Sequence, residues 1–344
     1  MEIRIYDQEL NFIGIIENFT SLQWSRKYFE SGCFELQMSY SKHNQSLIRA
    51  GYLIWKKDSL EAGVIEYITR EEYSLTVKGR FLSSYMDRRL IKSTFNASNR
   101  KVEEVMFELL QNATAIPQVE YSKLKGFDEK ITFQATYKNL LTYETKLSKY
   151  SNIAYRFRPD FVNKKILFET YKGFDRSINQ SERPRVIFSE SYENIKDTVY
   201  ILNEQLYKTV CYVGGQGEGD ERTVVIVGDD TLTGLQRREV FLSATDINSN
   251  NITASEYKEV LKQRGETELN SDCIVESFES SCLPYGNFKY KRDFDLGDVV
   301  TITKESWGLQ ADLRITEINE IYESEIMSIN LTFGTPLPEK WSDS

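Results

Sequence analysis

The stretch from Asp293 to Gly334 constrains the fold more than any other part of the sequence. Runs of β-branched and other apolar residues occur in it at 299–303, 313–318 and 326–333. The turn sequence DLGD precedes the first run, and the turn sequence SWG separates the first run from the second. Glycine tolerates positive φ and aspartate bonds its own backbone, so both suit tight turns. This arrangement predicts an antiparallel three-stranded meander that is able to close a small barrel.

Residues 1–92 show the same alternation of apolar and polar side chains. Runs at 3–6 and 12–16 predict a β-hairpin at the N-terminus. Phe34, Leu36 and Met38 alternate with polar residues, which predicts a strand with one apolar face.

From Ser98 onward the spacing of apolar residues becomes helical. Between residues 102 and 110 they recur every three to four positions, which predicts an amphipathic helix with Ser98 as its N-cap. Thr136 is the predicted cap of a second helix. Residues 153–171 return to two-residue alternation and predict a hairpin. A further helix is predicted after Thr253, which forms a capping-box pattern with Glu256.

These patterns predict a mainly β chain of the α+β kind, with two small antiparallel β-barrels and an α+β insert domain between them. The first barrel is placed at 1–92 and the insert domain at 93–183. The second barrel, with a helix at 254–269, is placed at 184–338, and a polar tail at 339–344. A chain of 344 residues is long enough for such units.

The charge balance argues against a protein that grips nucleic acid. The sequence has 52 acidic and 43 basic residues, a net charge of −9, whereas nucleic-acid binding depends on lysine and arginine. Met1 leads directly into a predicted strand, without a signal peptide. No apolar run approaches the roughly 20 residues of a membrane helix. We therefore expect folding in a cytoplasm and no membrane insertion.

The cysteines and the histidine show no ligand pattern. Cys33, Cys211, Cys273 and Cys282 include no CxxC pair, and His43 is the sole histidine. Zinc sites need clustered cysteine and histidine, so no metal and no cofactor is predicted. We expect reduced thiols, with disulfides as the open alternative, and a solvated loop for His43. Catalytic triads need a histidine base, so no catalytic residue is predicted.

A glycine-rich segment at 214–221, GGQGEGDE, is the nearest approach to a phosphate loop. Phosphate loops carry a lysine and lead into a helix. This segment has three acidic residues and precedes a predicted strand. The segment is therefore predicted to be an acidic hairpin between strands at 209–213 and 222–227.

Two acidic pairs in the C-terminal part of the sequence are candidates for a metal or catalytic site. Asp295 with Asp298, and Glu317 with Glu320, come nearest to a cluster. No calcium-loop sequence of the DxDxDG type is present, so a structural turn is favoured. For the cluster at 87–89, DRR, a salt-bridged element end is favoured.

Several of these segments resemble the hub proteins of phage tail tips and baseplates. The final meander, with LGD, RITEI and LTFG, resembles the last barrel of siphophage hub proteins, the contractile-phage hub and the late-control D family. GVIEY, LTVKGRFL and DRRLI resemble the opening barrel, and FQATYKNLL and FETYKGFDR the region after it. The resemblance covers nearly the whole chain, in order.

The resemblance implies a structural protein of a phage or prophage tail tip or baseplate, assembled in the host cytoplasm. The lack of a catalytic pattern in the residues predicts that the chain is not an enzyme. Three chains with two similar barrels each would form a ring that continues the tail tube and adapts six-fold to three-fold symmetry. The implied partners are two further copies, the distal tail or tube protein, the tape-measure protein and fibre or receptor-binding proteins. DNA would only pass through the lumen.

The resemblance also implies positions for two local sequences. It places the cluster at 87–89 near a subunit seam, and the segment at 214–221 toward the lumen or a neighbouring subunit. Two other functions remain open from the sequence: a tail-associated peptidoglycan hydrolase or endopeptidase, and a carbohydrate-binding tail module.

Overall fold

The computed structural model describes residues 1–334 except 17, 251, 272, 283, 285, 324 and 325. The tail placed at 339–344 lies outside the described residues. The described chain is mainly β, as predicted, with helices concentrated between the two ends of the sequence.

The N-terminal part consists of short strands and one short helix. In chain order these are β1 (Ile3–Tyr6), β2 (Phe12–Ile16), β3 (Ser21–Lys27), β4 (Cys33–Ser39), α1 (Lys42–Leu47), β5 (Leu53–Lys56), β6 (Gly63–Val64), β7 (Tyr67–Arg70), β8 (Ser74–Arg80) and β9 (Leu90–Ile91). The N-terminal hairpin is confirmed, because β1 and β2 pair antiparallel. His43 is exposed but lies in α1 rather than in a loop. Ser41 caps this helix by accepting a hydrogen bond from the backbone N–H of Asn44 at 3.0 Å.

The middle part contains both predicted helices. Its elements are β10 (Phe95–Lys101), α2 (Val102–Asn112), β11 (Val119–Tyr121), β12 (Lys130–Ala135), β13 (Lys138–Asn139), α3 (Leu140–Ser151), β14 (Ala154–Asp160) and β15 (Lys165–Tyr171). The predicted caps are wrong. Ser98 lies inside β10, and α2 starts without a side-chain cap. Asn139, not Thr136, caps α3 by accepting from the N–H of Thr142 at 3.0 Å. Both helices directly follow paired strands, because β10 pairs with β12 and β13 with β9.

The last part contains the longest strands. Its elements are β16 (Ile187–Ser189), β17 (Lys196–Asn203), β18 (Val210–Gly214), β19 (Val224–Gly228), β20 (Glu239–Ser243), α4 (Ala254–Ser271), β21 (Val275–Cys282), β22 (Val299–Lys304), β23 (Leu309–Glu323) and β24 (Ile326–Gly334). The helix after Thr253 is confirmed, and Thr253 and Glu256 form the capping box through reciprocal hydrogen bonds. The C-terminal meander is also confirmed, since β23 pairs antiparallel with both β22 and β24.

One large sheet joins the two ends of the chain. Its main path runs β17-β21-β24-β23-β3-β4-β8-β7, and every neighbouring pair on it is antiparallel. β22 and β16 extend the sheet beside β23. The smaller sheets are β2-β1-β5-β6, β10-β12, β13-β9, β11-β15-β14 and β19-β18-β20.

Each half of the large sheet is covered on one face by its own second layer. In the N-terminal half, Trp24 and Phe34 pack with Ile3 and Ile54 of the sheet β2-β1-β5-β6. In the C-terminal half, Phe278 and Phe333 belong to a separate core with residues of β16 and β22. Burial of these large apolar side chains is the main stabilising contribution of both halves.

Two further cores lie outside the large sheet. One packs α2 and α3 against the strands of the middle part, and the other packs α4 against the sheet β19-β18-β20. Within the described residues all sheets are open. The two closed barrels expected from the sequence are thus not formed by strand pairing here. In the N-terminal half the second layer is the sheet β2-β1-β5-β6, which meets the main sheet at one corner through the backbone bridge between Gly63 and Phe81.

Candidate functional site

The main path of the large sheet consists of two four-stranded units with one strand order. We call β3, β4, β7 and β8 the N-terminal unit, and β17, β21, β23 and β24 the C-terminal unit. In each unit the strands lie side by side as first, second, fourth and third in chain order. The units meet at the junction, where β23, a third strand, pairs with β3, a first strand. The chain therefore contains one sheet motif twice, joined edge to edge.

The face turned away from the cores is polar. Across the junction Ser25, Asn319, Asn330 and Ser281 form one row, because the register places each beside the next. Ser281 Oγ donates a hydrogen bond to Asn330 Oδ1 at 2.9 Å. The same face is mostly polar but carries exposed apolar residues at its edges, among them Tyr67, Val199 and Ile326. Its further members are Ser21, Gln23, Lys27, Cys33, Glu35, Gln37, Ser39, Thr69, Ser74, Thr76, Lys78, Arg80, Ile201, Asn203, Val275, Ser277, Glu279, Glu317, Ile321, Glu323, Ser328 and Thr332.

No apolar core covers this polar face among the described residues. An antiparallel sheet with one face on a core and one polar face is built to meet water or a polar surface on that side. The residues named on this face mix short hydroxyl and amide side chains with four glutamates and three cations, so they offer no concentrated positive charge to an anionic ligand.

Both ends of the path are open edges. In the described structure β7 pairs with β8 alone, and β17 with β21 alone. Tyr67 and Ile68 on β7 are 58% and 39% exposed, and Val199 and Leu202 on β17 are 48% and 55% exposed. Soluble proteins normally protect open edges with charges, prolines or bulges. β17 has a bulge between Lys196 and Val199, which protects only the start of that strand. The exposed apolar side chains on β7 and on the rest of β17 mark these edges as candidate pairing surfaces.

Ionisable side chains form a connected cluster under the junction, on the core side of the sheet. Glu320 of β23 is fully buried. Its carboxylate accepts hydrogen bonds from Lys56 Nζ, from the Tyr322 hydroxyl at 2.6 Å and from the Tyr290 hydroxyl at 2.8 Å. Lys291 Nζ lies 3.2 Å from the same carboxylate.

Arg26 of β3 extends this cluster to the turn before β22. Its Nη1 donates to the Tyr290 hydroxyl at 2.7 Å and to the Asp295 carboxylate at 2.5 Å. We call the set the junction cluster; its members are Arg26, Lys56, Tyr290, Lys291, Asp295, Glu320 and Tyr322. They come from both ends of the chain, so the cluster ties the two units together.

Burial and opposite charge compete in the junction cluster. Burial lowers the pKa of Lys56 to about 8, although Glu320 acts to raise it. Burial alone would raise the pKa of Glu320, but Lys56 and Lys291 outweigh it and lower that pKa to about 2. At neutral pH both groups are therefore charged, and each depends on the other for compensation.

The acidic pairs singled out from the sequence do not form one site. Asp298 is buried, pairs with Arg176 at 2.8 Å, and accepts from the backbone N–H of Phe174 at 2.7 Å. It also accepts from the N–H of Asp295 at 3.1 Å. The interpretation as a structural turn is thus confirmed for this pair.

Glu317 and Glu320 are separated by the sheet, because residues three apart on a strand point to opposite faces. Glu317 belongs to the polar face, while Glu320 belongs to the junction cluster. Among the described residues, no group of three or more His, Cys, Asp or Glu is placed to hold a metal ion. The sequence offered no signal for the junction cluster, whose members are far apart in the chain.

The glycine-rich segment at 214–221 connects β18 and β19 as a hairpin, as predicted. The backbone N–H of Gln216 donates to the Tyr257 hydroxyl at 2.7 Å, which anchors the segment to α4. Glu218, Asp220 and Glu221 are exposed at its tip. Their charges make this tip unfavourable for phosphate.

The cluster at 87–89 is a salt-bridged element end, as favoured from the sequence. Asp87 pairs with Arg80 at 3.0 Å, and Arg80 pairs with Glu66 at 2.9 Å. Arg89 Nε donates to the carbonyl of Thr114 at 2.8 Å. Glu66 directly precedes β7, so these charges lie beside one open edge.

The four cysteines form no disulfide in the structure. Cys211 and Cys282 are buried, and burial raises the pKa of the Cys282 thiol to about 12. Cys33 and Cys273 are half-buried, so only two of the four thiols lie in cores.

A family model matches residues 2–335, and its description is siphovirus ReqiPepy6 Gp37-like protein. The chain belongs to the siphovirus ReqiPepy6 Gp37-like family. This match spans nearly the whole chain and confirms the siphophage resemblance predicted from the sequence. A search of curated protein sequences finds no match.

Solved structures share the fold of this Gp37-like chain over almost its full length. The 43 kDa tail protein of prophage MuSo2 from Shewanella oneidensis has 13% identity and a TM-score of 0.61, covering 98% of this chain and 99% of that one. A tail protein from Neisseria meningitidis MC58 has 12% identity and a TM-score of 0.59, with coverage of 96% and 95%.

A third solved structure, the prophage tail protein gp18 from Listeria monocytogenes EGD-e, has 13% identity and a TM-score of 0.56, with coverage of 96% and 94%. At these identities the likeness establishes the fold. In the part of the chain that the structure describes, no helix combines the length and apolar character needed to cross a membrane.

Proposed function

We propose that this chain is a structural protein of a phage or prophage tail, and that it forms the hub ring at the tail tip or baseplate. The observation that carries the proposal is the repeated four-stranded unit, with one face on a core and the other polar. Family membership and the shared fold of three solved tail proteins support it.

The repeated unit gives a physical basis for a change of symmetry. One chain carries two similar units, so a ring of three chains presents six units while keeping a three-fold axis. In this proposal residues 1–92 and 184–338 each provide one barrel-like element of the ring. Residues 93–183 provide the insert between them. Such a ring needs contacts between different faces of neighbouring copies.

The polar face of the sheet is the proposed channel lining. Its short hydroxyl and amide side chains offer few cations to a phosphate backbone, and binding of nucleic acid depends on such cations. DNA and a tape-measure protein would pass along it without being held. The distal tail or tube protein and fibre or receptor-binding proteins are the proposed partners at the two ends of the ring.

The proposal is tested by locating and counting the chain in purified tails. Antibody against the full chain, imaged by electron microscopy, is expected to label the tip, and quantitative mass spectrometry is expected to give three copies per tail. An antibody against the major tube protein, which should label the whole shaft, is the matched control. Label along the shaft, or absence of the chain from tails, would contradict the proposal.

A further inference from the structure

We infer that the open edges β7 and β17 pair with each other between neighbouring copies, in the register that the junction shows within one chain. The inference rests on the proposed ring and adds the surface and the residue pairs through which copies would meet. The partner is a second copy of this chain, because the strand order of the sheet supplies a template for the contact.

The two open edges are strands of the same kinds as those at the junction. β7 is the third strand of the N-terminal unit, as β23 is the third strand of the C-terminal unit. β17 is the first strand of its unit, as β3 is of its own. Pairing β7 with β17 of another copy would therefore repeat the contact between β23 and β3, and every strand pair would remain antiparallel.

Equivalent positions in the two units can be assigned from the strand registers. On the first two strands, Phe34 lies beside Trp24 and Phe278 lies beside Tyr200. Both phenylalanines are buried and both are followed by glutamate. These aromatic pairs make Trp24 equivalent to Tyr200.

Equivalent positions on the third strands, β7 and β23, are assigned from the same phenylalanine pair. Two residues after Phe34, Leu36 lies beside Val77, which lies beside Ile68 of β7. Two residues after Phe278, the register leads through Leu331 to Ile318 of β23. Ile68 is therefore equivalent to Ile318.

The junction register then fixes the pairs between copies. Ile318 lies beside Arg26, which is two residues after Trp24. The position two residues after Tyr200 is Leu202. Ile68 of one copy is therefore expected beside Leu202 of the next.

The same register also specifies the neighbouring residue pairs between copies. Thr69 would lie beside Ile201, and Arg70 beside Tyr200. Because strand side chains alternate between faces, Ile68 and Leu202 both point to the core side of the sheet. Their exposed apolar surfaces would cover each other there.

The side chains that this register brings together are compatible. Ile68 and Leu202 are the exposed apolar residues on the core side of the two edges, and pairing removes both from water. The Arg70 guanidinium lies 4.3 Å from the centroid of the Tyr40 ring within the single chain. Arg70 would also come beside the ring of Tyr200, whose hydroxyl lies 3.1 Å from a Glu276 carboxylate oxygen. A cation beside an aromatic ring and a carboxylate is favourable. The contact is head-to-tail, and such contacts generate a ring when the rotation between neighbouring copies closes.

The test uses paired cysteines in the full-length chain, in tails assembled from that chain. Ile68→Cys with Leu202→Cys is introduced in a background of Cys33→Ser and Cys273→Ser, which removes the two half-buried thiols. Directly opposed residues on paired strands have Cβ atoms about 4.5–5.5 Å apart, which reaches the upper end of the separation that a disulfide spans. Oxidised tails are expected to give covalent dimers and trimers of the chain on non-reducing gels.

Two matched controls define the register. Arg70→Cys with Leu202→Cys lies on the same face but two residues out of register, and Thr69→Cys with Leu202→Cys lies on opposite faces. Each is expected to give at least about ten-fold less covalent oligomer than the inferred pair, since both geometries lack the required separation.

Each outcome bears on a different claim. Equal cross-linking in either control, or chain present in the tails without cross-linking of Ile68→Cys to Leu202→Cys, would overturn the inferred seam and leave the tail function standing. Chain absent from tails, for the parent protein as well as for the variants, would overturn the proposed function and the seam with it.

Discussion

The N-terminal and C-terminal units share one strand order but differ in how closely their second layers approach. Gly79 and Phe333 occupy equivalent positions, beside Phe34 and Phe278. A Cβ on Gly79 would lie 1.8 Å from the carbonyl oxygen of Val64, so backbone packs on backbone there. Phe333 is fully buried, so side chains fill the equivalent space. The two units therefore share their strand order, while the distance of the second layer determines how large a side chain fits at equivalent positions.

The junction and the open edges differ in the same way. Arg26 at the junction is buried and bonded to Tyr290 and Asp295. The equivalent edge residue, Leu202, is 55% exposed and apolar. The junction within the chain is thus stabilised by buried ion pairs, whereas the open edges carry exposed apolar side chains.

The largest expected effect is on the C-terminal unit. Phe333→Ala should destabilise the chain by about 3–5 kcal/mol, because a large side chain is removed from a core that also holds Phe188 and Phe278. Urea unfolding followed by circular dichroism measures it. Phe333→Leu is the control and should cost clearly less. A loss below about 1 kcal/mol for Phe333→Ala would show that this core collapses around the space.

The junction should be nearly as sensitive. Glu320→Gln leaves Lys56 and Lys291 without their buried counter-charge, and a loss of about 3–5 kcal/mol is expected. Glu323→Gln, an exposed change on the same strand, is the control and should alter stability by less than about 0.5 kcal/mol. Equal effects of the two changes would mean that the junction cluster does not hold the units together.

The stability difference between the parent chain and Glu320→Gln should depend on pH. The pKa of Glu320 in the fold, about 2, lies below its ordinary value of 4.5. The unfolded chain therefore binds this proton first as pH falls. The stabilisation from Glu320 is complete above pH 4.5 and is lost as pH drops toward 2. The stability difference between parent and Glu320→Gln should narrow across that window, and a difference that stays constant would contradict the assignment.

Elements with local signals could be predicted from the sequence, and long-range contacts could not. The meander after Asp293 and the capping box at Thr253 are specified by neighbouring residues. Ser98 and Thr136 were wrongly predicted as helix caps, because a serine or threonine shortly before a helical pattern has the residue type of an N-cap even when it belongs to the preceding strand or turn. Glu320 was interpreted with a turn, since nothing nearby in the sequence reveals its partner Lys56.

The residue pattern by itself does not reveal the shared strand order of the two units, for a physical reason. Equivalent positions carry different residues, as with Gly79 and Phe333, because each unit packs against a different second layer. The shared strand order is held by backbone hydrogen bonds, which do not depend on which side chains the strands carry. The two-barrel interpretation captured the duplication in outline but not the single sheet that joins the two units.

A smaller effect is expected in the N-terminal unit. Gly79→Ala forces β8 away from the carbonyl of Val64 and should cost about 1–3 kcal/mol. Lys78→Ala, next to it on the polar face, removes a partly exposed ion pair with Glu35 and should cost less than about 1 kcal/mol. If Gly79→Ala is neutral in thermal unfolding, the two units do not differ in layer spacing as described.

The smallest effect should come from the open edges. At concentrations where the chain is monomeric, Leu202→Ser and Ile68→Ser should each change the free energy of unfolding by less than about 0.5 kcal/mol, because both side chains are already substantially exposed. A small effect of these two changes, compared with the large effect of Glu320→Gln, would distinguish a contact that stabilises the single chain from a surface that contributes only when copies associate. A loss above about 1 kcal/mol would instead show that these edges are covered within a single chain, and would remove the apolar surface on which pairing between copies depends.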